Sequence, residues 1–466
     1  MTKTQSISRS QLLATEKTEK LIFKFAIPSI ISGLVSALYN IVDQIFIGQS
    51  IGIVGNAATN VAFPLSILCT SLALLLGVGG AANFNLCLGA GNKEEAGKFA
   101  ANSVSLMGII GIILAILVNL FLNPLMIAFG ASGEVLPYAL TYTGITSLGI
   151  PFLIFSIGCS NIIRADGSPT YSMLCTLVGA LLNTILDPIF MFGLDMGIAG
   201  AALATVISQI ISSIMALAYL LRFKTVPLKP IYFKPKAHIG LKITTLGASP
   251  CFNQLDMMLV QIIMNNTLTY YGSLSPYGSD IPLACVGVIS KVNIIYMAFV
   301  LGIAQGCQPI MGFNYGAKNY KRVKRACLQA LGAVCVVSLI AFASFQLFPR
   351  QIISLFGQGE ELYFHFAERY FRIFMFFTFL NGLQPMSSFF FTSIGKAQKG
   401  ILLSLTRQIV FLIPLILILP RIMGIDGVMY AGPVADGAAA LLATFLLTRQ
   451  FKTLDKLQLQ KETAIS

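Results

Sequence analysis

Apolar runs of about 20 residues recur along the whole chain. Examples lie at 22–47, 104–122 and 401–419, and each is about as long as a helix needs to be to cross a bilayer. Unbroken runs of this length indicate helices rather than membrane strands. Charged residues make up 11% of the chain, whereas soluble domains carry about 25%. The sequence therefore predicts an integral membrane protein made of helices.

Twelve spans can be counted in the 466 residues. We place them at 21–48, 53–87, 98–122, 135–161, 169–192, 197–221, 239–270, 281–312, 323–347, 361–391, 398–420 and 426–448. The first run is too long for a signal-peptide core, and no small-residue cleavage site follows it. We expect it to be retained as the first membrane helix.

The distribution of basic residues predicts the topology. The chain has 31 Lys and Arg and a formal net charge of +13. If the N-terminus lies in the cytosol, 26 of the 31 fall on the cytosolic side. Only Arg350 and Arg421 fall on the other side, and Lys291, Arg369 and Arg372 lie within or at the ends of spans. This asymmetry predicts two cytosolic termini in a plasma-membrane protein. It favours lipid, and no nucleic acid, as the partner of the positive charge.

Short sequence matches at a nearly constant spacing indicate an internal duplication. "MGIAG" at 196–200 returns as "MGIDG" at 423–427, 227 residues later. "LGVGG" (76–80) pairs with "LGIAQ" (301–305), "RADG" (164–167) with "TSIG" (392–395), and "AIPS" (26–29) with "ASPC" (248–251). The order is kept, and each half holds six spans. An even number of crossings makes the halves parallel repeats.

The duplication predicts the domain organisation. We expect a cytosolic tail at 1–20, an N-lobe at 21–221, a cytosolic linker at 222–238, a C-lobe at 239–449 and a cytosolic tail at 450–466. The linker contains three prolines, which block helix continuation. Two repeats around a cleft are typical of alternating-access transporters. No GxxxxGK[ST] phosphate loop occurs in the chain, so the sequence favours transport driven by an ion gradient over enzymatic activity.

Two acids inside spans are the first candidates for a functional site, because a carboxylate in hydrocarbon usually faces a cavity or a partner. Asp43 lies in span one, 19 residues beyond Lys24, which is roughly 28 Å along a helix. Asp187 lies in span five, 18 residues beyond Pro169, or about 27 Å. Equal depth predicts that the two carboxyl groups can meet in the outer half of the N-lobe.

Polar neighbours extend this candidate site. Ser36 and Asn40 precede Asp43 at helical spacing, and Asn183 lies one turn before Asp187. We expect Tyr142 in span four and Thr205 in span six to complete the cluster, and Pro188 to bend span five beside its acid. Two buried carboxyl groups side by side can hold a proton and release it to a cation. A helix cap at either acid is the simpler alternative.

Four segments carry a family resemblance. "YNIVDQIFIGQ" (39–49), "IIRADGSP" (162–169), "LNTILDPIFMFGLDMGIAGAALATVISQ" (182–209) and "GIAQGCQPIMGFNYGAKNYKRV" (302–323) resemble the MATE family, the multidrug and toxic compound extrusion transporters, and within it the MepA-like branch. The resemblance implies a V-shaped bundle of twelve helices in two lobes. It implies export of lipophilic organic cations in exchange for H⁺ or Na⁺. It also implies that five residues occupy the N-lobe ion and proton site: Asp43, Tyr142, Asn183, Asp187 and Thr205.

The second half offers less clear candidates. Asp256 lies in span seven, where sodium-coupled relatives carry an acid, but the span-ten segment at 376–391 has none. Asp256 is a candidate for binding the cationic drug, or for pairing with Lys291. Asp436 in span twelve is best explained as a hydrogen-bonded helix contact. Possible cavity-lining residues for the cargo are Met257, Met258 and Phe389.

Several alternatives stay open. Sodium could replace the proton at the N-lobe acids, and a lipid-linked oligosaccharide flippase shares the two-lobe fold but typically needs a cationic cavity. A membrane transferase is disfavoured, because the chain has two isolated histidines and no metal-binding spacing among its nine cysteines. We therefore expect a monomeric proton-coupled exporter that contacts drug and lipid and has no cofactor beyond the coupling ion.

Overall fold

A computed structural model describes residues 9–131, 133–278, 280–355 and 361–464 of the chain. The first eight residues and the last two, which belong to the predicted tails, lie outside the described residues. The described part is almost entirely helical and contains no strand. The prediction of an all-helical membrane protein is therefore confirmed.

The first half of the chain follows a short N-terminal helix, α1 (Arg9–Thr15). Its helices are α2 (Thr18–Ile51), α3 (Ile53–Gly89), α4 (Lys93–Leu120), α5 (Leu122–Ala128), α6 (Val135–Ala165), α7 (Pro169–Pro188) and α8 (Gly197–Leu220). We call residues 18–220 the first repeat. The short helix α5 lies between two membrane-length helices and does not itself cross.

The second half repeats this order after a linker that contains one 3₁₀ turn, Pro230–Phe233. Its helices are α9 (Ala237–Ser273), α10 (Asp280–Gly316), α11 (Tyr320–Leu347), α12 (Pro349–Ser354), α13 (Glu361–Phe374), α14 (Thr378–Asn381), α15 (Leu383–Ser393), α16 (Ala397–Leu405), α17 (Ile413–Met423) and α18 (Ile425–Thr463). We call residues 237–463 the second repeat.

Ten of the helical segments are long and apolar enough to cross a membrane. The two remaining predicted spans are also helical, but they differ in character. Helix α9 is 37 residues long and more polar than its neighbours. The tenth span is divided into α13, α14 and α15, with breaks after Phe374 and Asn381. The twelve-span architecture stands, and both of these less regular spans belong to the second repeat.

Two π-helical segments interrupt the spans. Ile189–Gly193 follows Pro188 directly at the end of α7, and Thr406–Leu412 joins α16 to α17. A π turn leaves backbone groups out of the regular ladder and often occurs at functional sites. The change of helix type after Pro188 is the local consequence of the proline, for which the sequence predicts a bend.

Among the described residues, the side-chain hydrogen bonds between the two repeats are confined to one half of the bundle. We call the end that carries the connections 89–93, 165–169, 220–237, 316–320 and 393–397 the basic end. Side-chain hydrogen bonds between the repeats run from Asn83 to the Lys242 carbonyl (3.1 Å) and from Gln308 to the Val78 carbonyl (3.3 Å). Within the described residues, every such bond between the repeats lies in the half toward the basic end. The cleft between the repeats is therefore closed at this end.

Glycine makes this close approach possible. A Cβ atom on Gly79 of α3 would overlap the carbonyl oxygen of Ile243 in α9, and one on Gly247 of α9 would overlap the carbonyl of Leu75 in α3. The two backbones are thus in direct contact, with one glycine contributed by each repeat. Small residues permit such packing between membrane helices.

The first and last helices of the described chain also pack at the basic end. Helix α18 continues through Thr463, well past the predicted span at 426–448. Its extension is tied to α11 by an ion pair between Lys324 and Asp455 (2.7 Å). The N-terminal helix is tied to α10, where the Asn314 side chain donates to the Leu13 carbonyl of α1 (3.1 Å). The predicted C-terminal tail is therefore a helical continuation held against the bundle.

Candidate ion and proton site in the first repeat

Asp43 and Asp187 are brought together by α2 and α7. The two side chains lie within hydrogen-bonding reach of each other. Both are buried, with 8% of Asp43 and none of Asp187 exposed. Asp43 lies in the half of α2 away from the basic end, and Asp187 lies at the corresponding end of α7. The pair thus lies in the half of the bundle in which the described residues form no side-chain hydrogen bond between the repeats.

A side-chain amide and two hydroxyl groups surround this pair. Asn183 Nδ2 donates to Asp187 Oδ1 (3.1 Å) and to Thr205 Oγ1 of α8 (3.4 Å). The Tyr142 hydroxyl of α6 lies near Thr205. Four helices therefore contribute to one polar cluster inside an otherwise apolar repeat.

Tyr39 is a member of the cluster that the sequence reasoning missed. It lies one turn before Asp43 on α2, and its hydroxyl is near enough to Asp43 and Asp187 to interact electrostatically with both acids. Its i, i+4 spacing from Asp43 was the available signal. An aromatic residue in a membrane helix is usually a packing residue, so the spacing alone does not separate the two roles.

Ser36 and Asn40 occupy the edge of the site. Asn40 is exposed, and its Nδ2 donates to the Ser36 carbonyl one turn earlier (2.7 Å). Ser36 is half-buried. Neither residue has a side-chain hydrogen bond to the acids within the described structure. Asn40 lies on the same face of α2 as Asp43, three residues earlier, and its amide is used within the helix.

The cluster has more acceptors than donors. Asp43 Oδ1, Asn183 Oδ1 and Asp187 Oδ2 are buried and find no hydrogen-bond donor in the described part of the chain. Buried polar atoms are normally hydrogen-bonded, so three such oxygens in one cluster mark a place suited to a proton, a small cation or water. The negative charge of the carboxyl groups favours the first two.

The candidates in the second repeat differ in their burial. Asp256 is buried, and its Oδ2 has no hydrogen-bond partner within the described structure. Lys291 is exposed, and the ion pairs of the described residues include none between it and Asp256. Met257 is exposed and Met258 half-buried, but Phe389 is buried in the hydrophobic core. Phe389 is thus a packing residue here and does not line an open surface.

Asp436 has a partner of its own. Arg407, in the π-helical segment of the second repeat, donates from Nε to Asp436 Oδ1 (2.7 Å), and both side chains are largely buried. The sequence favours a hydrogen-bonded helix contact for Asp436, and the structure identifies its partner. Because its charge is neutralised by Arg407, Asp436 differs from Asp43 and Asp187, which have no basic partner among the ion pairs of the described residues.

Together, the duplicated bundle of membrane-length helices and the buried acid cluster define a membrane transporter rather than an enzyme. The family model for MatE matches residues 28–189 and again residues 255–418. The chain therefore belongs to the MatE family of transporters. The two matched segments also repeat the spacing of the short sequence pairs, as expected for a duplicated chain.

Curated relatives extend over nearly the whole chain. The "Multidrug export protein MepA" of Staphylococcus aureus is 27% identical over 461 residues, covering 96% of this chain and 98% of the relative. The protein of the same name from Staphylococcus saprophyticus is 25% identical over 461 residues, with the same coverage. The resemblance to the MepA-like branch is therefore confirmed.

Solved structures match the fold closely. One is described as the outward-facing conformation of a multidrug resistance MATE family transporter of the MOP superfamily; it has a TM-score of 0.89, 26% identity, and covers 98% of this chain and 100% of that one. A transporter of the same superfamily from Pyrococcus furiosus, described by the reverse polarity of its binding pocket, has a TM-score of 0.89, 26% identity, and coverage of 97% and 100%.

Proposed function

We propose that this transporter exports lipophilic organic cations from the cytosol in exchange for protons, by alternating access between its two repeats. The observation that carries the proposal is the buried contact between Asp43 and Asp187, with Asn183 bonded to the second acid. Export of drugs is what the names of the staphylococcal relatives state for those proteins. The positive-inside pattern supports placing the basic end in the cytosol.

The acid pair supports proton coupling through charge repulsion. Two carboxylates in contact repel each other strongly in a site of low polarity, so a shared proton stabilises the pair. A cation that enters the cleft offers another way to neutralise the same charge. Proton and cargo then compete for one site, and this competition is the basis of antiport. Because the site faces the side opposite the basic end, protons would load from outside.

Sodium is the second candidate for the coupling ion. The unpartnered oxygens of Asp43, Asn183 and Asp187, together with the Thr205 hydroxyl, are hard oxygen ligands of the kind that small cations prefer. A proton needs only one carboxyl oxygen, whereas a sodium ion would need several of these groups at once. Removing the Thr205 hydroxyl should therefore impair sodium coupling more than proton coupling.

The second repeat supplies the apolar side of the proposed cargo site. Asp256 offers a buried carboxylate, and Met257 and Met258 offer flexible apolar contact on the same helix. Methionine adapts to cargo of different shapes, which suits broad specificity. The flippase alternative is less well supported, because Arg407 is neutralised by Asp436 and does not make the second repeat cationic.

The test is transport of ethidium in proteoliposomes. Transport by the wild type, Asp43→Asn and Asp187→Asn would be measured under an imposed pH gradient and, separately, under an imposed Na⁺ gradient. Asp195→Asn is the matched control, because Asp195 is exposed and lies beyond the π segment that follows the site. Its positive φ of 52° is a conformation that asparagine adopts readily.

The proposal predicts ethidium transport under the pH gradient alone. It also predicts loss of transport in Asp43→Asn and Asp187→Asn, with Asp195→Asn unaffected. Transport under the Na⁺ gradient alone would replace the proton with sodium as the coupling ion. Absence of ethidium transport under both gradients would contradict export of organic cations.

A further inference from the structure

Arg164 is a buried cation without a counter-ion. Only 6% of the residue is exposed, at the basic end of α6. Its Nη1 donates to Gln305 Oε1 (2.9 Å) and weakly to Asn161 Oδ1 (3.4 Å), and its Nε has no partner in the described structure. None of the ion pairs found among the described residues includes Arg164. The guanidinium is therefore held by neutral amides alone.

The acid nearest in sequence has other partners. Asp166 accepts hydrogen bonds from the backbone amides of Lys224 (3.0 Å) and Thr225 (2.9 Å) and from the Tyr219 hydroxyl (2.7 Å). Its carboxylate thus holds the start of the linker. No ion pair within the described structure links it to Arg164, so the positive charge next to it stays uncompensated.

The burial of Arg164 depends on contact between the two repeats. Gln305 belongs to α10 of the second repeat, whereas Arg164 belongs to the first. On the same face of α10, Gly302 packs on Ile30 and Gly306 packs on Ala26 of α2. Separation of the repeats at the basic end would withdraw Gln305 and admit water to the guanidinium.

Burial of the Arg164 charge therefore changes the free-energy difference between the conformations with the basic end closed and open. An ion moved out of water without an opposite charge carries a large penalty, which hydrogen bonds to neutral amides only partly offset. Arg164 carries this penalty while the basic end is closed and is relieved of it when the basic end opens. A ligand or charge shifts an equilibrium only through such a difference between states.

We propose that the buried charge of Arg164 biases the transporter toward opening at the basic end. The inference rests on the alternating-access part of the proposed function. After cargo leaves on the other side, the basic end must reopen to accept the next molecule. The uncompensated charge of Arg164 favours this reopening, and the charge, rather than the hydrogen bond to Gln305, is the operative property. A latch that holds the basic end shut would have the opposite effect.

A reporter thiol at the closed interface distinguishes these two roles. Ala82 of α3 is fully buried and packs with Leu246 and Ala397 of the second repeat. In proteoliposomes, N-ethylmaleimide should alkylate the thiol introduced by Ala82→Cys only when the basic end opens. Mass spectrometry of the peptide that contains position 82 gives the alkylation rate despite the native cysteines. The measurement needs neither cargo nor an ion gradient.

The Ala82→Cys reporter would be compared in the chain with Arg164 and Arg222 unchanged and in three variants. Arg164→Gln removes the charge and keeps an amide, whereas Arg164→Lys keeps the charge. Arg222→Gln is the matched control, because Arg222 is exposed at the same end. Elution profile and melting temperature in detergent establish that each variant is folded.

The proposal predicts that Arg164→Gln slows alkylation at least tenfold relative to the unsubstituted position 164. Arg164→Lys and Arg222→Gln should stay within a factor of about three of it. An unchanged or faster rate in Arg164→Gln would overturn the proposal and leave the proposed export function standing. Failure of the reporter to react with Arg164 in place would mean that the basic end does not open, and would overturn both.

Discussion

Asn183 Nδ2 donates a hydrogen bond to Asp187 Oδ1 (3.1 Å), one helical turn further along α7, and to Thr205 Oγ1 of α8 (3.4 Å). One amide therefore connects the acid pair to a second helix. A buried hydrogen bond to a charged group contributes about 1.5–3 kcal/mol. Since each 1.4 kcal/mol is about a tenfold change in an equilibrium constant, loss of this amide should be visible in transport.

Asn183→Ala should lower the initial rate of ethidium transport about ten- to a hundredfold, because the free energy of the acid pair changes by the amount just given. The measurement is ethidium flux in proteoliposomes under an imposed pH gradient. Asn119→Ala is the control, since Asn119 of α4 is exposed and bonds to Ala115 and Ser147 away from the acids. Equal rates in wild type and Asn183→Ala would show that the amide has no role in the site.

The Arg407–Asp436 pair should contribute to stability only as a pair. Removing one partner leaves a buried charge alone, which typically costs about 3–5 kcal/mol, whereas replacing both with apolar residues is often neutral. Arg407→Met and Asp436→Leu should each lower the melting temperature in detergent, and the double variant should recover most of the loss. A double variant as unstable as the sum of the single variants would contradict this structural role.

Gly247→Ala should open the basic end. A Cβ atom at position 247 would overlap the carbonyl of Leu75, so α9 and α3 would have to move apart. Alkylation of the Ala82→Cys reporter should become at least tenfold faster. Gly240→Ala on the same helix is the control, because its added atom would meet Leu106 at an ordinary 3.5 Å. If both variants react at the unsubstituted rate, the glycine contact does not control closure.

Asp166→Ala should release the start of the linker. The carboxylate holds the amides of Lys224 and Thr225, and leaving such groups unsatisfied costs about 1–3 kcal/mol. Brief trypsin treatment should then cleave near Arg222 and Lys224 and give two fragments of similar size. Asp195→Ala, at an exposed position, should be cleaved like the wild type. Persistent resistance in Asp166→Ala would mean that other contacts hold the linker.

Several features were predictable because they follow from local composition and counting. Apolar run length predicted the helices, and the sequence pairs predicted the repeats that the family model also matches. Counting 1.5 Å per residue from Lys24 and Pro169 placed Asp43 and Asp187 at one depth, and the structure brings their side chains within hydrogen-bonding reach.

Other features depend on contacts between distant parts of the chain. The burial of Arg164 is set by Gln305, 141 positions further along the chain, and no local pattern signals that encounter. Phe389 and the exposed Met257 have similar hydropathy, so composition could not separate core from surface. The break after Asn381 has a local signal in Gly382 and Pro385, because proline cannot donate to the carbonyl four residues earlier. The π segment at Arg407 has no such signal in the sequence.

The most direct test of proton exchange is proton release on cargo binding. Purified protein in weakly buffered detergent solution, with a pH indicator, would be mixed with ethidium, and the released protons would be counted against bound cargo. Proton-coupled antiport predicts release in the wild type and in Asp195→Asn, but none in Asp43→Asn or Asp187→Asn. Ethidium binding without proton release by the wild type, or equal release by the Asp43→Asn and Asp187→Asn variants, would contradict a proton site at this acid pair.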